Sequence, residues 1–177
     1  SIQSALAGAE RVFEVMDVEP EPADAPNADP LAHPQGHVEF RNVTFGYDPA
    51  RPILKNVSFE AKPGQTIALV GPTGAGKTTV VNLLMRFYDT NSGKIKVSGH
   101  DIMDMTRRSL RKNYGMVLQE TWLKKGTIRD NICMGKPDAT EEEMFYALHT
   151  AAADFVNSKP LGLDTPCGEA GGGLSEG

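Results

Sequence analysis

Eight consecutive residues have the types and spacing to hold a phosphate: Gly71-Pro72-Thr73-Gly74-Ala75-Gly76-Lys77-Thr78. Their order fits the pattern G-x-x-x-x-G-K-[ST]. Gly71, Gly74 and Gly76 let the backbone curl with its N–H groups inward, and none places a Cβ in the path of an approaching anion. Lys77 supplies a point charge to the outer phosphates. Thr78 offers a hydroxyl to Mg²⁺, an ion that takes oxygen ligands and keeps several of its waters. With Thr79, the next residue, these eight form the candidate phosphate-binding stretch.

Such a loop works only between a strand that delivers it and a helix that leaves it. Residues 66–70, with Ile67, Ala68, Leu69 and Val70, read as a short buried strand. Residues 77–88 place Val80, Val81, Leu84 and Phe87 on one face and read as a helix, whose N-terminal dipole favours an anion. Alternation predicts a half-buried strand over residues 37–43, and a second strand is expected over 53–59. A third follows the Asn91-Ser92-Gly93 turn at 94–97, and residues 114–118 read as another buried strand. Residues 140–156 read as a helix with Glu141, Glu142 and Glu143 in its first turn. The class expected from residue 37 onward is α/β.

Upstream, residues 1–17 carry Ile2, Ala5, Leu6, Ala9, Val12, Phe13 and Met16 at the spacing of one helical face. Residues 18–36 hold five prolines among acidic residues, which stops both helix and sheet and predicts a semi-rigid linker. The 177 residues suit one domain, and 40% apolar content supports a core. A net charge of −5 argues against a dedicated nucleic-acid binder, so no nucleic-acid partner is expected. Cys133 and Cys167 lack metal-ligand spacing and are expected to act as small hydrophobes. His33, His37, His100 and His149 have no convergent partners in sequence and are assigned surface or packing roles.

The surrounding residues narrow the class. No Asn-Lys pair occurs, so the guanine-reading motif is missing. Tyr47 lies in Val43-Thr44-Phe45-Gly46-Tyr47, ahead of Ile53-Leu54-Lys55-Asn56-Val57-Ser58-Phe59 and Pro63-Gly64-Gln65. Val117-Leu118-Gln119-Glu120 precedes Gly126-Thr127-Ile128-Arg129-Asp130-Asn131-Ile132. Gly168-Glu169-Ala170-Gly171 and Leu174-Ser175-Glu176-Gly177 come near the end. In this order, residues 37–177 closely resemble the nucleotide-binding domain of an ATP-binding cassette (ABC) transporter, of the exporter type with fused membrane and nucleotide domains.

The resemblance implies a P-loop ATPase core with an N-terminal antiparallel β subdomain, and it implies ATP and Mg²⁺ as ligands. Tyr47 matches the aromatic that stacks on adenine. Gln119 matches the glutamine that reaches Mg²⁺ and the attacking water, so Gln119 and Lys77 are the expected catalytic residues. Thr78 and Gln119 are the expected Mg²⁺ ligands. Ser175 and Gly177 match the signature that contacts ATP held by a second nucleotide-binding domain; Glu176 stands where the family usually has glycine. Glu169 and Trp122, with Thr121 and Leu123, match the surface that docks the membrane domain, and Lys124 replaces a frequent phenylalanine. Residues 1–17 match the segment after the last membrane helix, which puts the domain at the cytoplasmic face of a membrane.

The family's strand ending in Asp-Glu and its later histidine do not occur within these 177 residues. The chain is therefore expected to be part of a longer protein, incomplete in its C-terminal region, able to bind ATP without hydrolysing it. Two other readings remain open at this point: a soluble non-transport cassette ATPase, and a non-hydrolysing regulatory half of a paired exporter.

Overall fold

The computed structural model describes residues 2–30, 34–118 and 122–168. It is mixed α/β and divides into two compact units, residues 1–115 and 116–177.

The first unit is built on a four-stranded antiparallel sheet. Helix α1 (Ile2–Met16) comes first, then β1 (Val38–Phe45), β2 (Leu54–Ala61), α2 (Lys77–Leu84), β3 (Ser92–Val97), β4 (His100–Asp101) and α3 (Arg107–Arg111). The strand order is β2-β1-β3-β4. Alternation in β1 puts Phe40, Val43 and Phe45 inward, where they meet Leu54, Ile95 and Val97, with Val80 and Leu83 of α2 and Leu110 of α3. Phe40 stacks on Phe59 across the β1–β2 pair, with ring centroids 4.5 Å apart.

The alternation breaks where the register shifts between Phe40 and Val43 and between Val43 and Phe45. Asn42 and Asn56 take left-handed φ values of 52° and 53° there, and the Asn42 amide donates to Asn56 Oδ1 at 2.9 Å. Gly93, opposite this irregularity, has φ +83°, and a Cβ on it would lie 2.3 Å from the Asn42 carbonyl oxygen. No other residue fits that approach.

Helix α2 is shorter than the sequence pattern suggests. It stops at Leu84 because Arg86 adopts φ 51°. The Arg86 N–H then donates to Leu83 O and the Phe87 N–H to Asn82 O, both at 3.0 Å, closing the helix end in a Schellman arrangement. Glycine usually takes that position. Arginine holds it because its buried guanidinium donates to Ile102 O at 3.1 Å, to Met105 O at 2.9 Å and to Asp89 Oδ1 at 3.1 Å.

Residues 66–70 and 114–118 do not form the expected strands. Val70 is 93% exposed and Val117 92%. A strand of this apolar kind needs a ladder partner on each side. Among the described residues no strand pairs with either segment.

The proline-rich segment is strapped onto the first unit rather than standing clear of it. The Arg107 backbone N–H donates to both Asp24 carboxylate oxygens, at 3.1 and 3.2 Å, and its guanidinium reaches Asp24 Oδ1 at 3.0 Å. Arg111 makes a two-pronged ion pair with Glu21, one prong at 2.9 Å. Asp29 adds backbone bonds to Asp104 and Thr106 at 3.0 and 3.2 Å. Arg111 also donates to Met85 O at 2.8 Å and lies over the Phe87 ring.

Hydrogen bonds from Arg111 hold the Glu21 carboxyl below its ordinary pKa, and the Arg107 N–H does the same for Asp24. Carboxyl groups with depressed values stabilise the strap fully above the ordinary carboxylate range, about pH 4 to 4.5, and lose that contribution as pH falls below it. The protection of the Asp29 and Thr106 amides against hydrogen exchange, taken relative to the intrinsic rate at each pH, is therefore expected to fall on acidification before that of the Phe40 and Ile95 amides does. A simultaneous loss of protection at all four would show that the strap opens only with the sheet.

In the second unit, β5 (Gly126–Thr127) pairs with β6 (Pro166–Cys167), and α4 (Ile128–Ile132) and α5 (Glu141–Thr150) pack around Met144, Val156, Leu163 and Cys167. Both helices begin in capping boxes, Thr127 with Asp130 and Thr140 with Glu143. The helix expected to run to residue 156 ends at Thr150, since Ala152 has φ 54° and the Ala153 N–H turns back to Leu148 O at 2.8 Å. Arg129 bridges Asp164 at 2.8 Å and Glu141 at 2.7 Å. Cys133 and Cys167 are both free and pack among apolar side chains, as expected. His37 pairs with Glu60 at 2.8 Å and His149 with Asp154 at 3.0 Å, in keeping with surface roles; His33 lies outside the described residues.

Candidate functional site

The glycine-rich loop closes at the head of α2. Gly74 has φ +84° and Gly76 φ +90°, the left-handed region that glycine enters without strain. Gly76 has a second reason to be glycine: a Cβ there would lie 2.8 Å from Leu54 Cδ2 and 3.0 Å from Ile53 Cγ2. The loop therefore rests directly on the start of β2. A Cβ on Gly71 would come within 3.1 Å of the Ala75 Cβ, and the Ala75 N–H donates to Pro72 O at 3.1 Å. These contacts set the curl.

Lys77 lies across the curl. Its Nζ donates to Gly71 O at 2.6 Å and to Pro72 O at 2.8 Å, so the ammonium sits over the mouth of the loop. Thr78 is exposed in the first turn of α2 with a hydroxyl that makes no hydrogen bond within the described residues, whereas Thr79 is turned inward and buried. Pro72, Thr73 and Ala75 are exposed. The first-turn amides of α2 have no acceptor within the helix, and the dipole adds partial positive charge at the same end. An anion in this curl meets backbone N–H groups, a helix N-terminus and one ammonium.

Tyr47 comes to the same helix from the end of β1. The Asn82 side-chain amide donates to its hydroxyl at 3.1 Å. Asn82 lies five residues beyond Lys77 on α2, an axial rise of about 7.5 Å. Tyr47 is half exposed, and Phe45 and Tyr88 meet it nearly at right angles. The structure thus places the aromatic ring against the helix that the phosphate-type loop leads into, with Tyr47 itself 24 to 31 residues from that loop in sequence.

Gln119, Thr121, Glu169, Ser175 and Gly177 lie outside the described residues. Trp122 is 69% exposed, so it is no part of the second unit's core. Leu123 lines a groove of that unit with Ile128, Ile132, Leu148 and Phe155. The side chain of Asn131 clasps the Lys124 backbone through both its N–H and its carbonyl, at 2.8 and 2.9 Å. The turn is held by the main chain of residue 124 and is indifferent to the side chain it carries.

Sequence reasoning missed three groups: Asn82, Tyr88 and the arginines that hold the strap. An asparagine in mid-helix was an available signal, since that residue is a poor helix former. Arg107 and Arg111, four apart on a helix, offered a paired cationic face.

Comparison with known proteins agrees with this geometry. The family model described as ABC transporter matches residues 54–177, and the chain belongs to that family. It is 50% identical, over all of its length, to 28% of the fatty acid ABC transporter ATP-binding/permease protein of Mycobacterium tuberculosis. It is 42% identical to 30% of the ATP-dependent lipid A-core flippase of Syntrophus aciditrophicus, again over its whole length. The solved structure of a bacterial Atm1-family ABC exporter with ATP bound superposes with a TM-score of 0.82 at 43% identity, covering 99% of this chain and 31% of that one. The chain spans less than a third of the length of the curated relatives it matches. The expected exporter-type resemblance and P-loop fold class therefore stand.

Proposed function

We propose that this chain is the ATP-binding domain of an exporter that couples ATP binding and hydrolysis to the movement of a substrate across a membrane, from the cytoplasmic face. The observation that carries the reading is the convergence on α2 of Lys77 at its head and Tyr47 against Asn82. A helix with those two ends holds a triphosphate by one and a purine by the other. The relatives named above are ATP-binding/permease proteins, which favours the exporter over a soluble cassette ATPase.

The loop's own residues do most of the binding. The inward amides and the Lys77 ammonium neutralise phosphate charge, and Lys77 exchanges its carbonyl partners on Gly71 and Pro72 for phosphate oxygens. Tyr47 offers a ring face to adenine. A Mg²⁺ ion fits the donor set, because Thr78 presents an exposed hydroxyl beside the loop; Gln119 is the second proposed ligand. Bound there, the ion would neutralise charge on the outer phosphates. Gln119 orients the attacking water. Ser175 and Gly177 face ATP on a second nucleotide-binding domain, so the active assembly is a dimer of such domains attached to membrane domains through Trp122 and Glu169. Closure on ATP moves the membrane domains only if ATP binds the closed state more tightly than the open one.

No Asp-Glu pair occurs in the sequence of these 177 residues, so none follows an apolar run. The chain alone is expected to bind Mg-ATP saturably and to release no phosphate above background. Magnesium-dependent release that disappears in Lys77→Ala would overturn the second statement. An absence of saturable Mg-ATP binding would overturn the first.

A further inference from the structure

We infer that Tyr88 and Asn82 are positioning residues for the base: together they hold the Tyr47 ring in one orientation, ready to receive adenine. The inference rests on the nucleotide-binding reading above and adds to it the pair that makes Tyr47 a fixed platform.

A tyrosine ring has two ways to lose orientation. Its long axis can swing, and its plane can turn about that axis. The first is stopped at the far end, where the Asn82 amide donates to the Tyr47 hydroxyl at 3.1 Å. The second is stopped by two rings set nearly perpendicular to it. Phe45 lies at 5.2 Å and 82°, and Tyr88 at 4.9 Å and 82°. Both contacts have the edge-to-face geometry that aromatic quadrupoles prefer. Phe45 is buried and belongs to the sheet, so its presence has a packing explanation. Tyr88 stands at the margin of that core: it is 47% exposed, lines a small hollow beside Ile95, Ile102 and Met103, and turns its ring to both Phe45 and Tyr47.

Asn82 tells the same story from the helix. Asparagine disfavours a helix interior relative to most residues, yet it stands in the third-last position of α2 with its amide aimed at Tyr47. That helix is also the one that Lys77 heads. The spacing between the phosphate end and the base end of the site is thereby set by one rigid element. A ring already held in place loses less freedom when a base stacks on it, and affinity rises accordingly.

The test compares Mg-ATP with Mg-tripolyphosphate, which has the phosphates and no base, by calorimetric titration of this chain. Tyr88→Ala is expected to weaken Mg-ATP binding about 2- to 12-fold, the range of one aromatic pair. Tripolyphosphate binding should stay unchanged, and Tyr88→Phe should bind ATP as the parent does. Added to Tyr47→Ala, the Tyr88→Ala change should have no further effect on ATP. Should Tyr88→Ala fail to fold, Asn82→Ala carries the same expectation through the hydroxyl contact. Equal weakening toward both ligands would make Tyr88 a general scaffold residue and overturn the inference. So would an unchanged ATP affinity in Tyr88→Ala while Tyr47→Ala loses affinity. If Tyr47→Ala itself leaves ATP binding intact, the base platform falls with it, a different result from the other two.

Discussion

Replacing Lys77 by alanine should lower the affinity for Mg-ATP about 10- to 150-fold. A charged hydrogen bond contributes about 1.5–3 kcal/mol, and each 1.4 kcal/mol is about tenfold in affinity. The structure puts the Lys77 ammonium within 2.8 Å of two loop carbonyls, over the curl that would receive the phosphates. Those carbonyl contacts raise a second explanation for a loss, collapse of the empty loop. Thermal unfolding separates the two. Lys77 is only partly buried and its carbonyl partners belong to exposed residues that water can reach, so the melting temperature without ligand should change little. A variant that binds Mg-ATP with parental affinity would remove Lys77 from the phosphate site. One that melts far lower before any ligand is added would assign it to the loop's own stability.

Tyr47→Ala should weaken Mg-ATP binding about 5- to 150-fold, because stacking an aromatic on a base contributes about 1–3 kcal/mol. The ring is half exposed and held by two nearly perpendicular aromatic neighbours and through its hydroxyl. Stacking reads a π-face and not a hydrogen-bond pattern, so GTP should lose affinity by a similar factor. Tyr47→Trp should restore most of the loss, and Tyr47→Phe should lose only the hydroxyl bond to Asn82. Competition titration against a fluorescent nucleotide measures all of these. Parental ATP affinity in Tyr47→Ala would return the residue to a packing role beside Phe45.

The phosphate loop was legible in the sequence because its physics is local. Glycine at 74 and 76, lysine at 77 and a helix pattern after it leave few other conformations. The strands at 38–45, 54–61 and 92–97 were legible for the same kind of reason, since alternation needs only near neighbours. Residues 66–70 and 114–118 carry an equally clear apolar signal, but such a run states only that a segment should be covered and not what covers it. Helix ends were misplaced at Arg86 and Ala152, because a left-handed arginine or alanine has no sequence signature. At Arg86 the stabilising groups, Ile102 and Met105 carbonyls, lie 16 and 19 residues away. The Glu21 and Asp24 contacts were invisible for a longer-range reason: proline with acid reads as solvated chain, and the arginines that hold it stand 90 and 83 residues downstream.

Those contacts shorten the leash on the first helix. From Met16 to Glu21 the chain can reach at most about 18 Å at 3.6 Å per residue, against about 70 Å if it ran free to Gly36. A pull on α1 beyond the shorter reach arrives at Arg111 and Arg107 as tension, and through the Arg111 bonds to Met85 and Arg86 it is delivered to the foot of the helix whose other end is Lys77.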